Sequence, residues 1–166
     1  MSTLRILGID PGYDRVGWAV VAVDGQKLSV VKSGCIVSES KNIFDRYMNI
    51  FHTLVNSVKE LKPAECGIES LFFERNVSTA MRVSEARGVI IMALLQGGVS
   101  VHEYTPLQIK AAVTGNGRAT KPEVERMVKL LTKLEKMPKL DDEVDAIAAA
   151  ICHASSRKLS TAKGHA

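Results

Sequence analysis

Residues 4–12, LRILGIDPG, decide the fold. Leu4 to Ile9 is an apolar run interrupted only by Arg5 and Gly8, as expected of a mostly buried strand. The run meets an acid at Asp10, and Pro11-Gly12 then turns the chain. Val16 to Val23 is a second apolar run. Asp24-Gly25 stands between it and a third strand pattern, Lys27 to Val37, so the pair reads as a tight hairpin. The chain therefore opens with three antiparallel strands.

Further out, Ile43, Tyr47, Ile50, Leu54, Val58 and Leu61 recur at helical spacing, predicting a helix over Asn42 to Leu61 closed by Pro63. A short strand follows at Glu65 to Glu69, then a helix from Val77 to Gln96 ended by Gly97-Gly98. Val99 to Tyr104 reads as a strand, and Pro106 opens a short helix to Thr114. Helices from Pro122 to Leu134 and from Asp141 to near Arg157 complete the chain. The order βββαβαβααα predicts an α/β fold: a mixed five-stranded sheet, three antiparallel strands and then parallel ones, flanked by helices. Residues 1–158 are expected to form one domain, and the small, polar, basic residues 159–166 a flexible tail.

Apolar residues make up 46% of the chain, enough for one sizeable core, and the formal net charge is +4. The excess is local. Thr105 to Leu140 holds eight Lys or Arg against three Glu, just before the acids Asp141, Asp142, Glu143 and Asp145. Such a surplus suits a polyanionic partner. Three cysteines without CxxC spacing read as free thiols in a reducing compartment. No apolar stretch approaches the roughly 20 residues of a membrane helix, so a soluble cytoplasmic protein is expected.

Asp10 ends the first strand and Glu69 the fourth. A crossover through the Asn42 helix lets those strands lie parallel, and both acids then emerge at the carboxyl edge where open α/β sheets place ligands. Asp142 and Asp145 stand at i, i+3 on the last helix and share a face. Packing that helix across the sheet gathers four carboxylates, whose mutual repulsion a divalent cation relieves. Oxygen-only donors point to Mg²⁺, with Mn²⁺ as substitute, and two ions about 3.5 to 4 Å apart suit in-line phosphodiester hydrolysis. Each acid also has a plainer reading. Asp141 and Asp142 could cap a helix, Glu143 and Asp145 could favour its N-terminal dipole, Asp10 could serve the turn, and Glu69 could be an exposed strand end. Four separate explanations are then needed where the shared geometry supplies one.

Gly8-Ile9-Asp10-Pro11-Gly12 with Gly17 resembles the opening motif of the RuvC family of Holliday-junction resolvases. The resemblance continues in order through Ile68-Glu69 with Phe72-Phe73, Ala86-Arg87-Gly88-Val89, Gly115-Asn116-Gly117 with Ala119 and Lys121, and Asp142-Glu143-Val144-Asp145-Ala146. It implies an RNase H-like fold and a structure-selective endonuclease that resolves four-way junctions by paired, symmetric nicks in recombination and repair. It implies catalytic metal ligands at Asp10, Glu69, Asp142 and Asp145, with two Mg²⁺ per site. DNA contacts are implied at Lys110 and Lys121, and an aromatic pressed against bases at Phe72. It also implies a homodimer and a branch-migration motor of the RuvA and RuvB type as partner. Ser70 stands where Gln commonly follows the catalytic Glu, and Val16 where Thr is common. Neither supplies a ligand.

Phe73, beside the wedge candidate, can belong to the core or to the DNA surface. Gly115-Asn116-Gly117 lacks the ending of a nucleotide loop, and reads as a turn presenting Arg118 and Lys121 to phosphate. The surrounding lysines could equally form a solvated face. Cys152-His153 invites a metal reading, but His153 lies eleven residues beyond Asp142, roughly 16 Å along a helix, outside that coordination shell. His52 and His102 lack HxxxH or HExxH partners. Rival functions are an RNase H-like nuclease of RNA or RNA–DNA hybrids and a non-catalytic junction binder. A third is an actin-like ATPase, whose two domains would not fit in 166 residues.

Overall fold

The hairpin closes where expected. In the computed structural model, which describes residues 3–71 and 77–163, β2 (Arg15–Asp24) and β3 (Lys27–Val37) pair antiparallel from Asp24↔Lys27, across a two-residue turn at Gly25-Gln26. β1 (Leu4–Asp10) pairs antiparallel with β2, from Leu4↔Val23 to Asp10↔Gly17. The chain then crosses through α1 (Ile43–Leu61) to β4 (Glu65–Glu69), parallel to β1, and through α2 (Val77–Gln96) to β5 (Ser100–Tyr104), parallel to β4. The sheet order is β3-β2-β1-β4-β5, with β1 and β4 interior.

Local chemistry sets the helix ends. Asn42 Oδ1 accepts from the Phe44 N–H to start α1, and Lys62 leaves it in the left-handed conformation. Thr105 and Gln108 form a reciprocal capping box on α3 (Pro106–Thr114). Glu123 accepts from both the N–H and the hydroxyl of Thr120 ahead of α4 (Lys121–Thr132). Several boundaries differ from expectation. Val99 stays outside β5 because its N–H closes the end of α2 on the Leu94 carbonyl. α4 begins at Lys121 and stops at Thr132, since Lys133 turns left-handed. α5 (Asp141–Lys163) runs past Arg157 to Lys163.

Each face of the sheet carries a core. Leu7, Ile9, Val16, Trp18 and Val20 pack with α1 and α2, while Ile6, Ala19 and Val21 pack with α3, α4 and α5. By the period of two along a strand, Gly8 and Asp10 share the face of Ile6. That face is unusually bare. A Cβ on Gly8 would strike the Ala146 carbonyl, one on Gly17 the Asp142 carbonyl, and one on Gly67 the Ala149 carbonyl and the His153 Cβ. The helix side is equally small, with Ala146, Ala148, Ala149 and Ala150 buried alongside Ile147 and Ile151. Small residues on both partners let α5 lie directly on the strands. Ile147 and Ile151 anchor it there, each contributing roughly 1.5–3 kcal/mol through burial.

Candidate active site

Asp10 and Glu69 each follow the last paired residues of adjacent parallel strands, Ile9 and Ile68, and so reach the same carboxyl edge. Gly17 lies opposite Asp10 in the β1–β2 register, and the Asp142 backbone rests on Gly17. That contact fixes the start of α5 over Asp10, where Asp142 and Asp145 project from one helix face. All four sequence-predicted carboxylates thus meet at one place, drawn from three elements.

Their charges are in conflict. Burial, then Glu69, Asp145 and Asp142 in turn, push the Asp10 carboxyl up to about 7, with Lys121 pulling it back. Burial and Asp145 raise Glu69 against the opposing charge of Lys110. Burial raises Asp145 as well; Lys121 opposes this, while Asp141, Asp142 and Glu125 add to it. Asp142 Oδ2 is buried and accepts no hydrogen bond among the described residues, its cationic neighbour Arg15 Nε standing 3.6 Å away. An orphaned carboxylate oxygen among mutually repelling acids fits a hard divalent cation, and the all-oxygen donor set suits one. Asp10, Glu69, Asp142 and Asp145 are the residues able to hold it.

The basic residues divide. Lys110 of α3 and Lys121 of α4 line a hollow of about 290 Å³ together with Glu69, Asp145, Ile109 and Val124. Lys121 Nζ also donates to Asp141 Oδ2 at 2.7 Å. Arg118 is exposed and does not line that hollow. Phe72 and Phe73 lie outside the described residues. Two neighbours escaped the sequence reading. Arg15, at the start of β2, is brought to Asp142 by the hairpin register, and Ser33 of β3 donates to Glu143 Oε2 at 2.9 Å. Arg15 was recoverable in principle, two residues before the glycine that pairs with Asp10.

Residues 6–153 match the family model described as crossover junction endodeoxyribonuclease RuvC. A RuvC of Petrotoga mobilis is 46% identical over 154 residues, covering 92% of this chain and 94% of the relative. One of Halothermothrix orenii is 46% identical over 155 residues, covering 93% and 94%. Thermus thermophilus RuvC, solved in complex with a Holliday junction substrate, is 31% identical, with a TM-score of 0.90 over 95% of this chain and 97% of that one.

Proposed function

The chain belongs to the RuvC family of crossover junction endodeoxyribonucleases, and from that premise we propose that it resolves four-way DNA junctions at the edge where Asp10, Glu69, Asp142 and Asp145 meet. It is an RNase H-like endodeoxyribonuclease dependent on a divalent metal. The observation that carries the site assignment is the convergence of Asp10, Glu69, Asp142 and Asp145 at one sheet edge, where burial and three acidic neighbours push the Asp10 carboxyl up to about 7. Such a carboxylate is at ease only with a cation beside it.

We assign Mg²⁺, two per site, to the four carboxylates. When bound, the metal supplies Lewis acidity to both the attacking and the leaving oxygen of an in-line displacement. The chain's own residues do the remainder. Asp10 and Glu69, on interior strands, are rigid ligands. Asp142 and Asp145 move only with α5, whose seat on Gly8, Gly17 and Gly67 leaves it little freedom. Lys110 and Lys121 face the hollow beside the acids, where an ammonium can meet the scissile phosphate. Arg118, exposed on the turn before α4, is assigned to phosphate further along the strand. Phe72, with Phe73 beside it, is assigned to bases opened at the junction centre. F72A is then expected to lose roughly 1–3 kcal/mol of stacking with an unchanged melting curve, whereas a large drop in melting temperature with cleavage per folded molecule intact rejects the role.

A homodimer, one site for each of two symmetry-related strands, is supported by α2. Met81, Met92 and Leu95 are exposed along one stripe, and Gly88 between them has open space where a Cβ would stand. Sedimentation showing a monomer that still nicks in pairs would count against it. We take residues 1–158 as the nuclease domain and 159–166, which begin as the end of α5, as its basic tail. Resemblance alone supports pairing with a branch-migration motor of the RuvA and RuvB type. Among the described residues no helix is long and apolar enough to cross a membrane, and we assign the protein to the cytoplasm as a nuclease that acts on DNA.

The test is incubation with labelled four-way, linear duplex and RNA–DNA hybrid substrates, in Mg²⁺ or EDTA. Paired nicks confined to the four-way substrate and abolished by EDTA are expected. Preferential cleavage of the hybrid, or binding of the junction without cleavage, would overturn the reading in favour of an RNA-processing relative or a passive binder.

A further inference from the structure

The row of residues that ends in Glu69 begins with Glu65. By alternation Glu65, Gly67 and Glu69 share one face of β4, and Ser100, His102 and Tyr104 share the same face of β5, since Glu65↔Ser100, Gly67↔His102 and Glu69↔Tyr104 are paired. α5 lies over that face. Gly67 vacates the space in which the His153 Cβ stands, so the buried His153 drops between Glu65, His102 and Tyr104. One ligand-type atom from each of Glu65, His102 and His153 then lies within 4.8 Å of the others. Glu65 is four residues from Glu69, about 13 Å along a strand, so this group is separate from the four catalytic acids.

We propose that Glu65, His102 and His153 form a second metal site, for a borderline divalent ion of the Zn²⁺ class. Two imidazoles and one carboxylate are the donor set that Zn²⁺ accepts and Mg²⁺ does not favour. The surroundings are arranged for it. Tyr104 Oη lies 2.7 Å from His153 Nδ1, the outer hydrogen bond that orients a ligating imidazole and leaves Nε2 for the metal. Arg157 Nε holds Glu65 Oε1 at 2.9 Å, which leaves Oε2 facing His153 Nε2 at 2.7 Å. A metal there takes the place of the proton between Nε2 and Oε2. The His102 ring stacks on His153, centroids 4.4 Å apart, and has no hydrogen bond among the described residues. It is exposed, and one of its ring nitrogens already lies within 4.8 Å of the Glu65 and His153 ligand atoms. A hollow of about 270 Å³ lined by these residues with Ser100 and Ser156 opens to solvent, giving an entry path and a fourth position. Bound metal would pin the far half of α5 to β4 and β5, independently of substrate.

The experiment titrates the full chain with Co²⁺, and then with competing Zn²⁺, in excess Mg²⁺ that occupies the oxygen-only site. One equivalent should produce the strong visible absorption of a four- or five-coordinate, nitrogen-containing Co²⁺ site, and Zn²⁺ should bleach it and raise the melting temperature. H102A, truncated at an exposed position, should lower Co²⁺ affinity by at least about 10-fold and abolish the Zn²⁺-induced rise, with E65Q acting in the same direction. D10N should keep both signals. Only the weak spectrum of six-coordinate Co²⁺, or an H102A protein indistinguishable from the parent, overturns the proposal and leaves His153 as a hydrogen-bonded core histidine.

Discussion

Asp10 and Glu65 sit on the same face of neighbouring strands under the same helix, and burial acts on both in the same direction. Asp10 ends up high, near 7, because burial raises it most and its neighbours Glu69, Asp145 and Asp142 add to that. Glu65 ends up below its ordinary value. Burial pushes it up, but hydrogen bonds from His153 and Arg157 and their charges outweigh that. Asp10 is the more deeply buried of the two, and the company each keeps widens the difference. The fold settles its charges at one end of α5 and leaves them unsettled at the other, and chemistry belongs at the unsettled end.

The sharpest way to break the contrast is to remove one acid from the crowded end. D10N should abolish junction nicking, by roughly 10⁴-fold on the scale seen when one member of a cooperating catalytic set is lost. Junction binding by gel shift should persist, because few of the phosphate contacts are touched. Near-normal nicking in Mg²⁺ would remove Asp10 from the site.

Next in size is the seat of the helix. In G17A a methyl meets the Asp142 backbone, and in G67A a methyl meets Ala149 and His153. Each should cost about 1–3 kcal/mol of stability through overpacking. Only G17A should also lower turnover per folded molecule well below that of the parent, because it displaces a metal-binding carboxylate. Equal turnover in the two variants would show that α5 adjusts as a whole, erasing the distinction between its ends.

The pH dependence should follow the crowded end alone. Without metal, a folded Asp10 near 7 and an unfolded value near 4 mean that the folded state binds the proton more tightly. Stability of metal-free protein should therefore fall as pH rises from about 4 to about 7, and level off above. D10N should flatten that slope, and Mg²⁺ should reverse the loss at pH 8. A parent protein whose melting temperature in EDTA is flat across this interval would show that the acids are not in conflict.

The smallest effect belongs to the settled end. Y104F removes the hydroxyl beside His153 Nδ1, and should cost about 1 kcal/mol by chemical denaturation. A loss of several kcal/mol would mean that this network holds the helix more firmly than the glycine seat does.

Particular elements show where sequence reading succeeded. Asp10 and Glu69 stand at strand ends as expected, because an apolar run marks a strand wherever it ends. Asp142 and Asp145 were paired correctly because i, i+3 spacing is a property of any helix. The misses have a different cause. Val99 was drawn into β5 on its side chain, while its N–H was already committed to α2. In the sequence His102 lacks an HxxxH or HExxH partner, and His153 stands too far along the helix from Asp142 to share its shell. The groups that face these histidines lie instead across β4, β5 and α5, 37 and 51 positions apart along the chain. Lys110 and Lys121 were named together, but Lys110 offsets Glu69 whereas Lys121 offsets Asp10 and Asp145.

The order of strands and helices, the parallel neighbours that carry Asp10 and Glu69, and the family itself were written in the chain, since periodicity and turn chemistry act over a few residues. Distance across the sheet was not. How closely α5 approaches depends on Gly8, Gly17 and Gly67 standing under Ala146 to Ala150 and His153, and a glycine's purpose is visible only once its opposite number is known. The same approach aligns Arg15 with Asp142 and gathers Glu65, His102 and His153. Charge and ligand chemistry act through space, over a few ångströms, between residues the chain keeps far apart.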